Sequence, residues 1–83
     1  MYKARDLMYF DGKTIREIMI GRNRQGVVSY YLINTNQGHT CYAVTRRDDK
    51  GKLQYSCRFD FTIEGKELAF SAYREQFQII FKG

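Results

Sequence analysis

Between Leu53 and Ile63 the chain alternates without a break: Leu53, Tyr55, Cys57, Phe59, Phe61 and Ile63 share one side of an extended backbone, and Gln54, Ser56, Arg58, Asp60 and Thr62 share the other. A side-chain period of two marks a strand with one dry face and one wet face. That constrains the fold to a sheet covered on one side, and it puts Arg58 on the wet face.

The rest of the chain divides into segments of similar length, punctuated by Gly12, Gly26, Gly38, Gly51 and Gly65, with no proline and no low-complexity tract. Ala4–Phe10 runs into Asp11-Gly12, a two-residue hairpin signal. Thr14–Ile20 carries two conflicting cues. Thr14 and Glu17 have capping-box spacing, whereas three isoleucines after an Asp-Gly pair suit a returning strand. The strand is the reading taken. Arg22–Gly26 reads as a polar loop, and Val27–Asn34, apolar on both sides, as a central strand. Asn36-Gln37-Gly38 turns the chain into His39–Arg47, and Asp48–Lys52 turns it again into the alternating strand.

A four-residue loop, Asp49–Lys52, sets Tyr42 opposite Phe59 and Val44 opposite Cys57, joining apolar to apolar. A five-residue loop would instead set Cys41 against Phe59 and Ala43 against Cys57; neither register puts Cys41 opposite Cys57, so a disulfide across this hairpin is disfavoured.

The tail changes period. At 100° per residue, Leu68, Ala69, Phe70, Ala72, Tyr73, Phe77, Ile79, Ile80 and Phe81 occupy one broad arc, and only Gln76 interrupts it. This is an amphipathic helix over 67–81, with Glu67 at its start and Lys82-Gly83 at its end, suited to the helix dipole.

The expected fold is therefore α+β: a mostly antiparallel sheet or partly open barrel of about five strands (a meander over 4–63), with one C-terminal helix on its dry face. Eighty-three residues allow one domain, 1–83, with one modest core. No apolar run approaches the length of a bilayer span, the N-terminus lacks a signal-peptide pattern, and two cysteines are too few for a disulfide scaffold. A cytoplasmic protein with free thiols and no membrane partner is expected.

No residue constellation supports catalysis. Gly12-Lys13-Thr14 copies the end of a phosphate-binding loop, but the required first glycine is Leu7. His39 and Cys41 have the spacing to face one way, yet nothing supplies an oxyanion site. A zinc site on His39, Cys41, Cys57 and Asp60 lacks paired-cysteine spacing, and Asp48-Asp49 is flanked by cations that would repel Ca²⁺. The chain is read as non-enzymatic, without cofactor or metal.

What remains is charge and aromatic surface. Fourteen Lys and Arg against nine Asp and Glu give a net charge of +5, which favours polyanionic partners. Arg22, Arg24, Arg46, Arg47, Lys50, Lys52 and Arg58 are the candidate phosphate ligands, and an exposed Tyr31 or Tyr42 the candidate stacking surface. Nucleic-acid binding of low sequence specificity is the leading expectation. The alternative is a protein-binding accessory or inhibitor module, of the sort that phages and mobile elements encode, docking on an acidic or nucleic-acid-binding protein. For that reading the helix's apolar surplus, Phe70, Phe77 and Phe81, is the candidate interface, and a homodimer through the helix is one form of it.

Overall fold

The computed structural model describes residues 5–6, for their backbone, and residues 12–82. The fold is α+β: an open antiparallel sheet with one C-terminal helix laid across it. Four long strands, β2 (Lys13–Asn23), β3 (Gly26–Asn34), β4 (Thr40–Asp48) and β5 (Leu53–Asp60), form a meander. The two-residue β1 (Arg5–Asp6) pairs with β5, and the helix α1 spans Ile63–Phe81.

The spatial order is β1-β5-β4-β3-β2. The Asp11-Gly12 hairpin is therefore corrected: β1 and β2 lie at opposite edges and do not pair. Gly12 instead answers a close approach, since a Cβ there would sit 3.1 Å from Ile33 and 3.3 Å from the Asn34 carbonyl. The remainder of the expected first strand, with Ala4 and residues 7–10, falls outside the described residues.

Thr14–Ile20 is strand, and β2 runs on to Asn23, which leaves only Arg24-Gln25 at the turn. The β4–β5 register is the one that joins apolar to apolar, with Tyr42 opposite Phe59 and Val44 opposite Cys57. The loop is one residue longer than expected. Arg47 pairs with Leu53, and a bulge at Gln54 absorbs the extra residue before the register resumes at Arg46 and Tyr55.

α1 packs on the face formed by Val28, Tyr30, Val44, Cys57 and Phe59, and contributes Ala69, Ala72, Tyr73 and Ile80. Its small residues let the backbone come close: Gly65, Ala69 and Ala72 are all buried. The alternation of β5 stops at Asp60, because Thr62 caps the helix by accepting a hydrogen bond from the Gly65 N–H at 2.9 Å. The helix thus begins at Ile63, four residues before the periodicity indicates. Glu64 occupies its first turn, and Lys82 is the C-cap.

The second face of the sheet corrects the expectation of a wet surface. Ile33, Cys41 and Ala43 form a small apolar cluster there with Tyr31 packed against it. Beside them runs a buried polar row, Ser29, Thr45 and Ser56, each opposite the next across β3, β4 and β5. Cys41 and Cys57 are buried on opposite faces, and no disulfide joins them. No helix of the described residues is long and apolar enough to cross a membrane.

Candidate functional site

Two hairpin turns fix where the cations go. The β2–β3 turn, at Arg24-Gln25, and the β4–β5 turn, at Asp48–Lys52, project from the same end of the sheet, because Gly26 pairs directly with Asp48. Arg22 faces Val27, and Val27 faces Arg47, so the two arginines flank one apolar residue across three strands. The C-terminus of α1 arrives at this end as well. The Asn23 side-chain amide donates to the Ile80 carbonyl, and Arg46 Nε donates to Gln76 Oε1 at 2.8 Å. Gln76, the polar residue inside the helix's apolar arc, is there to receive that arginine.

The result is a strong charge asymmetry. Of the chain's fourteen cationic and nine acidic residues, this end gathers seven, Arg22, Arg24, Arg46, Arg47, Lys50, Lys52 and Lys82, against three, Asp48, Asp49 and the Glu75 that shares a groove with Lys82. It therefore carries most of the chain's net charge of +5. All seven cations are exposed except the half-buried Arg46.

The Asp48 carboxylate shapes the turn and stays ionised beside Lys52, which it partly neutralises. Oδ1 accepts from the backbone N–H of Lys52 at 2.8 Å and of Lys50 at 2.9 Å, and Oδ2 accepts from the Gln54 amide at 3.0 Å. The Lys52 N–H bond is the main reason its pKa lies below the ordinary carboxylate value; the Lys50 and Gln54 bonds push it the same way. Gly51, at φ +82°, gives the turn the left-handed residue it needs, and Arg47 Nη1 donates to the Gly51 carbonyl at 2.9 Å.

Not every candidate cation belongs here. Arg58, expected on a wet strand face, is only 2% exposed. In the strand register Arg58 lies between Ala43 and Arg5, so it projects from the second face at a strand that is not an edge. It is no surface phosphate ligand. Arg46 is committed to Gln76 on the helix side, while Arg47, one residue on, points to the opposite face.

The tyrosines do not assemble into the expected stacking platform. Tyr30 is the buried member of its pair, on the helix face, with its phenol held above its usual pKa by burial and then by Tyr42. Tyr31 is half-buried on the second face. Tyr42 is half-buried on the helix face, edge-on to Tyr30 at 5.9 Å and tilted against Phe61 at 5.5 Å. Tyr31 and Tyr42 thus lie on opposite sides of the sheet.

The three phenylalanines of the helix do come together, on the flank of α1 that overlooks β2. Phe77 and Phe81 stack with centroids 4.0 Å apart and planes at 6°. Phe70 is 42% exposed and shares a surface groove with Met19, Tyr73, Arg74 and Phe77. Met19 borders this groove from the edge strand, and Ile15 is exposed further along β2. Sequence reasoning missed both β2 residues, because the register shifts in β2 re-aim side chains that simple alternation would place elsewhere.

His39 is exposed and Cys41 fully buried, so the pair does not share a site. Among the described residues no three His, Cys, Asp or Glu side chains converge as metal ligands. Comparison with known proteins finds no matching family model, no matching curated protein and no matching solved structure.

Proposed function

We propose that this chain is a non-enzymatic binding module that engages nucleic acid through the basic end of its sheet, by phosphate contacts and with low sequence specificity. One observation carries the reading: two turns and a helix terminus gather most of the chain's net charge at one end. Together the two turns span the four long strands, three strand spacings or roughly 14 Å. The exposed cations on these turns and on the helix cap are enough to neutralise about four phosphates. The hairpins and the helix cap fix where these cations leave the backbone, and Arg46 and Arg47 are further held by side-chain hydrogen bonds.

The test is a salt titration of binding to labelled oligonucleotides. With about four phosphates neutralised, the logarithm of affinity for a single strand falls with a slope of about −3 against the logarithm of salt concentration, or about fifty-fold between 50 and 200 mM. The variant Arg24→Glu/Lys50→Glu/Lys52→Glu is expected to abolish binding while keeping its circular-dichroism spectrum. Absence of binding by the wild type at low salt would overturn the proposal.

A second reading attaches to the groove where Met19 and Phe70, exposed by 40% and 42%, meet. Contiguous apolar surface of this kind serves protein contact. Arg74, which lines the groove and lies over the Phe70 ring, suits an acidic partner surface. Charge repulsion between copies argues against self-association there. Light scattering that gives a dimer mass, lost in Met19→Asp, would replace the acidic partner with a second copy.

A further inference from the structure

We infer that the nucleic acid bound at the basic end is single-stranded, with an unpaired base stacked on Phe81. This rests on the reading of that end as a phosphate-binding surface and adds the feature that selects the strand form. Phe77 lies flat against β2 because position 21 is glycine: a Cβ there would come within 2.7 Å of the Phe77 ring and 3.0 Å of the Tyr73 hydroxyl. Tyr73 packs beside Phe77, tilted by 40° with centroids 5.9 Å apart. Phe77 in turn covers one face of Phe81, parallel at 4.0 Å. The Phe81 ring is thereby fixed before any ligand arrives, yet the residue remains 38% exposed.

Its position gives the exposure meaning. Phe81 closes the helix at the end of the molecule that carries most of the net charge, next to Lys82, and the bond from Asn23 to the Ile80 carbonyl ties that last turn to the β2–β3 hairpin. A surface groove there is lined by Phe77, Gln78, Phe81 and Lys82. An aromatic ring beside a row of cations is the combination that tracks single strands: the cations follow phosphates, and the ring takes the face of any base. The Gln78 amide, able both to donate and to accept, meets a base edge without demanding one identity. In a duplex the base faces are already stacked and paired, so the ring has nothing to receive.

The experiment compares a labelled twelve-nucleotide thymidine strand with a mixed-sequence duplex of equal length, at matched salt, by fluorescence anisotropy. The wild type is expected to prefer the single strand. Phe81→Leu keeps the apolar volume and removes the π-face, and should weaken single-strand binding about tenfold while leaving duplex binding unchanged. Because the chain has no tryptophan, Phe81→Trp places one reporter at the site. Its indole emission should be quenched by the thymidine strand and not by the duplex. Equal wild-type affinity for the two forms, an equal loss for both in Phe81→Leu, or an indole left unquenched by the single strand would each overturn the inference while leaving the phosphate surface standing. Failure of the phosphate reading itself has a different signature, no salt-dependent binding of either form.

Discussion

Replacing Gly65 by alanine inverts the usual outcome of that substitution, and so tests how the helix is seated. Inside a helix, Gly→Ala ordinarily stabilises by up to about 1 kcal/mol. Here the added Cβ would lie 1.8 Å from the Asp60 carbonyl oxygen and 2.7 Å from its carbon. Carbon–oxygen contacts ordinarily close to about 3.3 Å, so the first turn of α1 must lift by about 1.5 Å from the end of β5. Backbone on both sides of the clash leaves no side chain to rotate away. Lifting the turn also breaks the cap from Thr62 to the Gly65 N–H, a loss of about 1 kcal/mol, on top of about 1–3 kcal/mol for overpacking. After the propensity gain is subtracted, the net cost is about 1–3 kcal/mol, which lowers the melting midpoint by roughly 4–8 °C per kcal/mol in a chain of this length. Thermal unfolding followed by circular dichroism measures it, with the exposed Ser71→Ala as a control that should gain up to about 0.5 kcal/mol. A Gly65→Ala protein that melts at or above wild type would refute the close seating of the helix on the end of β5.

Three further outcomes are expected. Asp48 is held below the ordinary carboxylate pKa of about 3.9, so its contribution to stability is present above that pH and lost as pH falls through the lower folded value. Asp48→Asn should flatten the acid limb of the unfolding profile, and an Asp48 carboxyl titrating by NMR at an ordinary midpoint would contradict the turn geometry. The Cys41 thiol is pushed up by burial, partly offset by Arg58 and reinforced by Asp60. Stability should therefore fall as pH rises past about 8.5 toward the raised folded value, and neither cysteine should react with a thiol reagent until the chain is unfolded; prompt labelling of the native protein would count against both buried positions. Finally, Gly21→Ala should displace Phe77 and loosen its stack on Phe81, lowering single-strand affinity several-fold with duplex affinity unchanged; an unchanged single-strand affinity would separate the platform from strand β2.

The strands were legible where alternation and apolar pairing agreed. Tyr42 against Phe59 and Val44 against Cys57 fix the β4–β5 register, because a one-residue slip would turn the whole dry face outward. Loop length was less legible, since a bulge at Gln54 restores the same register from a longer turn. The start of the helix was hidden for a similar reason. Phe61 and Ile63 continue the strand's alternation, yet they are 56% and 82% exposed, and the decisive residue is Thr62, whose hydroxyl ends the strand by capping the first turn of α1. The pairing of β1 with β5 had no local signal at all. Asp-Gly reports that a chain can turn, and cannot say which edge of a sheet lies beyond the turn.

The candidate site shows the same division between local and non-local information. That Arg22, Arg24, Arg47, Lys50 and Lys52 form one surface follows from the meander: two hairpins separated by one strand connection must turn at the same end of the sheet. That Lys82 joins them needs the direction of the helix, which the short route from Asp60 to Ile63 sets by sending α1 back across the sheet. Arg58 and the tyrosines fail as candidates for a reason alternation cannot detect. It sorts side chains between two faces, and here both faces are covered at the centre, so exposure survives only at edges, turns and helix flanks. A chain this short, with its central strands buried on both sides, has to place a binding surface at the periphery. Its basic end and the Phe77–Phe81 stack are where the periphery combines charge with a fixed aromatic ring.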